Sequence, residues 1–159
     1  MQTFIPYATT DYDEMARTLD NKRLHKQALE GWQIMMVLLE LDPDGKHRNP
    51  KGWVNHPAVK MWRGHELALY NYVLAMVKEW KSRGFKSTLD DKAGETISIA
   101  IVKGRANDPS DPNWITDDAV ASSHRLALLQ KDYDWYHQFG WDEDEGVRPD
   151  HYDYVWPVK

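Results

Sequence analysis

The sequence predicts an all-α fold, a compact helical bundle that forms a single domain over residues 1–159. The first observation is that two long stretches, about 20–41 and 57–83, repeat apolar residues with the period of a helix. The second is that a third stretch near 117–130 begins at a residue able to cap a helix. Three capped amphipathic helices need one shared hydrophobic core, and the chain is long enough to build it.

The segment before these helices lacks helical periodicity. Met1 to Tyr7 (MQTFIPY) alternates polar and apolar residues and contains a proline, so we expect an extended arm packed on the protein surface. Thr9 or Thr10 is able to cap a short helix that ends near Arg17.

The first long helix combines a core-facing stripe with a polar flank. Asp20 is expected to cap it, because a carboxylate there can accept a hydrogen bond from a free amide of the first turn. The stripe consists of Leu24, Ala28, Gly31, Met35 and Leu38. The flank consists of Arg23, Lys26, Glu30 and Gln33. Glu30 is therefore either a functional carboxylate or a member of an ordinary solvated face with i,i+3 and i,i+4 pairs.

The stretch from Gly45 to His65, which covers the loop between the two long helices and the start of the second, carries no acidic residue. It contains five lysines or arginines, three histidines and two tryptophans. Interleaved cations and aromatics are able to bind phosphates and stack on bases, but a solvated loop that leads into a core helix has the same composition. Pro57 suits the first position of the second long helix, which makes His56 its expected cap.

Residues 88–104 allow two interpretations. Ile97, Ile99 and Ile101 alternate as they would in a strand, whereas Ala93, Ile97 and Ile101 fit one face of a helix. We predict a helix, since no partner strand is evident and a lone strand is not stable.

The last part of the chain is predicted to hold two further helices and an irregular aromatic tail. Thr116 or Asp117 caps the third helix, and Asp132 opens a shorter one that ends at Gly140. The tail is acidic at first and then carries the alternating aromatics Tyr152, Tyr154 and Trp156. One side of an extended tail is thus able to pack against the protein.

Composition narrows the classes of function. The formal net charge is −5, which argues against a protein that coats nucleic acid nonspecifically. Residues 1–85 hold 12 Lys and Arg against 10 Asp and Glu, whereas residues 86–159 hold 8 against 15. There are no cysteines, so disulfides and thiolate metal sites are excluded. Without a signal peptide or an apolar run of the ~20 residues needed to span a bilayer, we expect a soluble cytoplasmic protein.

Common catalytic and phosphate-binding motifs are absent. The sequence has no glycine-rich phosphate loop, no HExxH or HxxxH metal motif and no GxSxG turn, so neither a metal nor another cofactor is expected. The third helix carries Ser122-Ser123-His124-Arg125. Adjacent helical residues point about 100° apart, so Ser123 and His124 do not form a nucleophile and base pair. Arg125 is interpreted either as a fork for phosphate or carboxylate or as part of a structural ion pair.

Several motifs carry a resemblance to a known family. They are MQTFIPY, TLDNKRLHKQ, NHPAVKMWRGHE, KSRGF, SSHRLALLQKDYDWYHQFGW and YVWP. With them the chain resembles, over nearly its whole length, the pyrimidine-dimer DNA glycosylase (endonuclease V) superfamily, and more closely a bacterial and phage branch of it. The resemblance implies a compact all-helical fold and attack on the sugar C1′ by the N-terminal α-amine.

The resemblance also assigns roles to residues of this chain. A glutamate on the first long helix, which corresponds to Glu30, stabilises the charged sugar and assists the lyase step. Arg23 and Gln27 correspond to DNA-facing polar residues of the same helix. His56 resembles a histidine near the start of the second long helix.

The sequence departs from the family pattern in three ways. Residue 2 is Gln where those enzymes have Thr, and its bulk normally leaves the initiator methionine in place, so the nucleophile would be the Met1 amine. An α-amine suits this role because such amines titrate near ~7.7–8.0 and are partly neutral at physiological pH, unlike lysine. Leu29 replaces an arginine, and the acidic net charge implies weak affinity for duplex DNA.

Three functions remain open. The first is a DNA glycosylase, with or without lyase activity, that acts on a damaged or modified base through Glu30 and Met1. The second is a small-nucleotide binding or processing protein on the same scaffold, and the third is a non-catalytic helical interaction protein. DNA or a small nucleotide is the expected partner, and the acid-free region and the SHR segment are expected to converge on one polyanion. The residues predicted to contact it are Arg23, Lys26, Gln27, His56, Trp62, Arg63, His124 and Arg125.

Overall fold

The computed structural model describes all residues from 1 to 159 and contains seven α-helices and no strand. The helices are α1 (Tyr12–Thr18), α2 (Asn21–Leu39), α3 (Pro57–Lys60), α4 (Glu66–Ser82), α5 (Leu89–Val102), α6 (Asp118–Lys131) and α7 (Tyr133–Tyr136). Short 3₁₀ turns lie at Trp53–Asn55, Asn113–Thr116 and His137–Phe139. The predicted all-α fold is confirmed, including the helix chosen over a strand for residues 88–104.

Helices α2 and α4 form the centre of the structure, with α5 packed against both of them and α1 against α4. The two central helices approach closely at Gly31, where an added Cβ would lie 2.6 Å from Cγ2 of Val73. Real Cβ atoms do not come this close to a neighbour, so the approach of the two helices requires glycine at this point of the core stripe.

The second predicted helix, 57–83, is divided into α3 and α4, so the prediction of one continuous helix is wrong. The break lies at Gly64, whose φ of 83° is left-handed and ends the first segment. Its N–H donates to Oε1 of Glu66 (3.1 Å), which satisfies a backbone donor at the break. Beside it, Trp62 turns into the core and packs 5.9 Å from the ring of Tyr72.

Two predicted helix caps are confirmed. Nδ1 of His56 accepts a hydrogen bond from the Ala58 N–H (3.0 Å) at the start of α3. Oδ1 of Asp117 accepts one from the Ala119 N–H (3.0 Å) at the start of α6. Helix α1, in contrast, is capped by Asp11 and by neither of the two threonines before it.

Asp20 precedes α2 as predicted, but the predicted capping bond is not formed. Its carboxylate pairs with Nη1 of Arg23 (3.1 Å) and accepts the hydroxyl of Tyr136. Both donors to this buried carboxylate form stronger hydrogen bonds than a backbone amide would. The guanidinium of Arg23 is charged, and the hydroxyl of Tyr136 is a phenol. Asp20 therefore connects the start of α2 to α7.

The N-terminal arm, defined here as residues 1–7, leaves the surface and passes through the interior, so its predicted surface position is wrong. Residues 2–6 are all buried. Thr3 is 0% exposed and Ile5 is 1% exposed. An extended segment cannot pair its backbone groups with one another, so they need side-chain partners once water is excluded. One partner lies within the arm, since the Thr3 N–H donates to Oε1 of Gln2 (2.9 Å).

One hydrophobic core of 35 buried residues draws on the arm and on all seven helices. The tail after Trp141 contains no further helix, as predicted. Its aromatic residues Tyr152, Tyr154 and Trp156 pack against this core. None of the helices has the length and hydrophobicity that a membrane span requires.

Two glycine substitutions test the packing of the central helices. Gly31→Ala should lower the free energy of unfolding by about 1–3 kcal/mol, because the new methyl group overlaps Val73, which is fully buried. Gly94→Ala on α5 is the matched control, since its Cβ would lie 3.4 Å from the nearest atom, Oη of Tyr70. It should raise stability by about 0.5–1 kcal/mol through helix propensity. Urea unfolding measures both changes, and stabilisation by both variants would contradict the close approach at Gly31.

Candidate active site

The arm is held from one side by polar side chains of α2, α4 and the turn between α3 and α4. Oε1 of Gln27 accepts a hydrogen bond from the Phe4 N–H (2.7 Å), and the hydroxyl of Tyr72 donates to the Phe4 carbonyl (2.9 Å). Nε1 of Trp62 donates to the hydroxyl of Thr3 (2.9 Å). Three buried side chains therefore fix one short segment of the arm, two through the Phe4 backbone and one through the Thr3 hydroxyl.

Helix α6 holds the next two residues of the arm. Nδ1 of His124 accepts a hydrogen bond from the Ile5 N–H (2.8 Å), and Nη1 of Arg125 donates to the Pro6 carbonyl (2.9 Å). His124 has no exposed surface, and its burial lowers its pKa to about 3. The imidazole is thus neutral at physiological pH, with Nδ1 as the acceptor and the proton assigned to Nε2.

The N-terminal end of the arm lies beside Glu30 of α2. Oε2 of Glu30 accepts hydrogen bonds from the Gln2 N–H (3.3 Å) and from Nε2 of Gln27 (3.2 Å). The bond to Gln2 places the preceding residue, which carries the terminal amine, next to the carboxylate. Met1 and Glu30 are also the two residues shared by two adjoining cavities.

The first of these, the cationic cavity, has a volume of about 420 Å³ and lies between α2, the end of α6 and the tail. Its lining residues are Met1, Gln2, Phe4, Lys22, Arg23, Lys26, Gln27, Glu30, Lys131, Tyr152 and Tyr154. Four of them are lysine or arginine and only one is acidic, which creates a positive potential within an acidic protein. No group of three His, Asp or Glu side chains is placed to hold a metal ion, here or elsewhere in the chain.

Two tyrosines of the tail form one wall of the cationic cavity. Nζ of Lys131 lies 5.3 Å from the centre of the Tyr152 ring, and the rings of Tyr152 and Tyr154 are 5.1 Å apart. Burial alone would raise the pKa of Tyr152, but the neighbouring Lys131 and Tyr154, together with the charge of Arg23, outweigh burial and the pKa is lowered. A phenol in such surroundings is a strong hydrogen-bond donor to an anion.

The second, the apolar cavity, has a volume of about 580 Å³ and lies between α2 and the loop that follows it. Its lining residues are Met1, Glu30, Trp32, Gln33, Met36, Val37, Leu41, Pro43, Arg48, Pro50, Lys51 and Trp53. Trp53 is 47% exposed, and Arg48 and Lys51 lie on the same loop. Apolar walls with an exposed indole and two cations suit a planar aromatic group that carries an anionic substituent.

His56 lies near the terminal amine. Burial, and secondly the positive charge of the terminal ammonium, lower the pKa of His56. Its ring packs 5.3 Å from the ring of Trp53 and 5.8 Å from that of Trp156. Because Nδ1 is occupied as the cap of α3, the neutral ring carries its proton on Nε2. His56 is therefore a hydrogen-bond donor at this site and not a base for the amine.

The structure brings six of the ten predicted site residues together. Five of them line the cationic cavity, and His56 lies near the terminal amine. The five are Met1, Arg23, Lys26, Gln27 and Glu30. The four others, Trp62, Arg63, His124 and Arg125, line neither cavity.

Three of those four support the arm. Trp62 and His124 are fully buried, so neither ring offers a face to a ligand. Arg125 forms a two-bond pair with Glu143 (2.7 and 2.9 Å), so its fork is occupied by a protein carboxylate. Arg63 is exposed, and its one hydrogen bond is to the Val54 carbonyl (3.5 Å). The expected convergence of Arg63 and Arg125 on one anion at these cavities is not observed.

Six residues of the cationic cavity were not predicted as site residues, and two of them, Gln2 and Phe4, belong to the arm. Lys22 lies one turn before Lys26 on the same face of α2, so helical spacing alone could have identified it. Lys131, Tyr152 and Tyr154 come from the other end of the chain. No local pattern indicates that they fold against α2, although the alternation of the tail aromatics did predict that they pack.

A comparison with known families reaches the same part of the molecule. A family model described as pyrimidine dimer DNA glycosylase matches residues 1–93, more than half of the chain. The protein belongs to this family. The matched region contains the arm, α1 to α4 and the start of α5, and therefore both Met1 and Glu30. No curated protein and no solved structure matches the chain.

The buried His124 predicts a loss of stability at mildly acidic pH. An unfolded histidine is protonated below about pH 6.5, whereas folded His124 stays neutral down to about pH 3. Between these values the unfolded state binds more protons than the folded state. The free energy of unfolding therefore decreases as the pH is lowered, by up to about 1.4 kcal/mol per pH unit.

His124→Asn removes this proton-binding group while its side-chain oxygen can replace the Nδ1 acceptor. Urea unfolding at about pH 6.5 and pH 4.5 should therefore show a smaller loss of stability in the variant than in the wild type. His151→Asn, in the exposed tail, is the control and should behave as the wild type does. The same pH dependence in His124→Asn and the wild type would contradict a buried neutral imidazole.

Proposed function

We propose that this protein is a DNA glycosylase that acts on a damaged or modified base, with the Met1 amine as nucleophile and Glu30 as the catalytic carboxylate. The observation that carries the proposal is the hydrogen bond from the Gln2 N–H to Glu30 at the junction of the two cavities. Membership of the pyrimidine dimer DNA glycosylase family supports DNA as the substrate.

The reaction would begin when the neutral Met1 amine attacks C1′ of the deoxyribose. The bond from C1′ to the base breaks, and the base leaves with the electron pair and takes up a proton from water. Positive charge develops on the sugar in the transition state, and the carboxylate of Glu30 stabilises it more than it stabilises the ground state. Loss of the amine proton and opening of the ring then give an imine. Removal of a proton from C2′ would expel the 3′-phosphate and break the strand.

The carboxylate of Glu30 is held in position before any substrate binds. Gln2 N–H and Nε2 of Gln27 both donate to Oε2, whereas no protein group donates to Oε1. Gln27 is itself buried and bonded to the arm, so its amide is fixed. A preorganised carboxylate with one free oxygen suits the role because it need not reorganise as charge develops.

The cationic cavity is suited to the phosphates that flank the reacting sugar. Lys22 and Lys26 are exposed and have no acidic partner in the structure. Arg23 is already paired with Asp20, so it adds less free positive charge. A small number of phosphate contacts predicts weak binding to undamaged duplex and a shallow dependence of affinity on salt.

Small-nucleotide binding without glycosylase chemistry is the second candidate, and the apolar cavity favours it. The exposed ring of Trp53 could stack on a base while Arg48 and Lys51 contact a phosphate. A free nucleotide needs fewer cations than a duplex, which fits a protein with a net charge of −5.

Borohydride trapping tests the proposed amine. Attack by Met1 leaves an imine with the opened sugar, and borohydride reduces it to a stable protein–DNA adduct. We expect an adduct with a duplex that contains an abasic site, and peptide mapping should locate it on residue 1. An undamaged duplex is the control and should give none. If abasic, pyrimidine-dimer and modified-base duplexes all fail to give an adduct, the second candidate becomes the better assignment.

Glu30→Gln separates the two candidates because it keeps the shape of the side chain and removes its charge. In a glycosylase, turnover should fall by at least ~100-fold while the affinity for the substrate changes little. In a nucleotide-binding protein the same change should weaken affinity, with no turnover to measure. Glu95→Gln, on the exposed face of α5, is the control. A changed melting temperature with neither effect would remove Glu30 from the site.

A further inference from the structure

One turn of α6 is used neither by the cavities nor by the proposed chemistry, yet it holds both ends of the chain. Oγ of Ser123 accepts a hydrogen bond from the Val155 N–H of the tail (3.0 Å). His124 accepts from Ile5, and Arg125 donates to the carbonyl of the next arm residue. Three consecutive side chains thus bind backbone groups of the arm and of the tail.

We propose that His124 and Arg125, here called the arm clamp, are positioning residues for the nucleophile. They act by fixing the register of the arm, so that the terminal amine stays beside Glu30. The inference rests on the proposed function, because it concerns the placement of the Met1 amine. It extends that function to a helix outside residues 1–93, the region matched by the family model.

The clamp holds the arm from the side opposite to α2. Successive N–H groups of an extended chain point to opposite sides, and here Phe4 donates to Gln27 on α2 while Ile5 donates to His124 on α6. An extended chain advances about 3.3 Å per residue, so a slip of even part of one residue moves the amine substantially. A misplacement of about 1 Å at a reacting atom can cost about 100-fold in rate.

The role of His124 at this position is to accept the hydrogen bond from the arm. Its Nε2 is buried without a hydrogen-bond partner, which is destabilising. An apolar side chain of similar size would avoid that loss, so what the imidazole adds is the acceptor for the Ile5 N–H. Its ring also packs edge-on against Phe4 (6.0 Å) and Tyr154 (5.6 Å), between the arm and a wall of the cationic cavity.

Arg125 is able to hold the arm because its charge is balanced within the protein. The side chains of Arg125 and Glu143 are 13% and 14% exposed and are joined by two bonds. The carboxylate of Asp118, which is mostly exposed, adds a weaker contact to Nη2 (3.3 Å). Removing one partner would leave an uncompensated charge near the interior. The pair therefore fixes the guanidinium, whose remaining Nη1 is directed at the Pro6 carbonyl.

Reductive alkylation of the terminal amine tests the clamp without any DNA. The probe is 2-deoxyribose 5-phosphate, whose open-chain aldehyde condenses with an amine to give an imine and water. Cyanoborohydride supplies the hydride that reduces this imine, and mass spectrometry of peptides measures the rate at residue 1 and at lysines. In the wild type, residue 1 should react faster than the amine of the isolated peptide MQTFIPY, because Glu30 and the cationic cavity lie beside it.

His124→Leu should lower the rate at residue 1 roughly 10- to 100-fold without changing the rates at lysines. His124→Asn, which restores an acceptor near the Nδ1 position, should recover most of the loss. Should His124→Leu not fold, Arg125→Lys serves instead, since an ammonium keeps the charge but cannot bond Pro6 and both oxygens of Glu143 at once. The alkylation rate at residue 1 in Arg125→Lys should lie between those of the wild type and of the isolated peptide.

Ile97→Ala, on the buried face of α5, is the matched control for general destabilisation. If Ile97→Ala and His124→Leu lowered the alkylation rate at residue 1 equally, the clamp would contribute only to general stability, and the inference would be overturned. An unchanged rate in His124→Leu would overturn it as well, while leaving the proposed nucleophile in place. A wild-type rate no higher than that of the peptide would instead overturn the proposed nucleophile, and the clamp with it.

Discussion

The burial of the N-terminal arm is the constraint on which the rest of the structure depends. Residues 2–6 are extended and shielded from water, so their N–H and carbonyl groups need side-chain partners. Five of these groups are bonded to the side chains of Glu30, Gln27, Tyr72, His124 and Arg125. Those polar side chains would in turn be destabilising in the interior if the arm were absent. The arm and the polar part of the core therefore require each other.

This mutual requirement connects folding to the proposed chemistry. The bonds that satisfy the arm also set its register, and the register decides where residue 1 lies relative to Glu30. A free terminus would have to be ordered when substrate binds, at a cost in conformational entropy. Here that entropy is lost during folding, so an amine held in this way meets its substrate already oriented. The same bonds would thus contribute to stability and to the placement of the proposed nucleophile.

The sequence could predict what depends on short-range periodicity. The helices follow from it, and so does the grouping of Arg23, Lys26 and Glu30, which are three and four residues apart on α2. The buried arm could not be predicted, because alternating residues are equally typical of a surface strand and the partner of Ile5 is 119 residues away. His124 resembled a ligand contact for a related reason: a side chain that can bind a phosphate or a base can also bind a backbone group.

The distribution of charge explains how an acidic protein can present a cationic cavity. The excess of acids lies in residues 86–159, and some of them are used within the protein, as Glu143 is by Arg125 and Asp144 is by the hydroxyl of Tyr133 (2.8 Å). Beyond a Debye length of about 8 Å at physiological ionic strength, little of the local positive potential remains. A polyanion is then not steered from a distance, and only one that reaches the cavity gains from its cations. Local contacts, and not long-range attraction, would therefore decide which nucleic acid is bound.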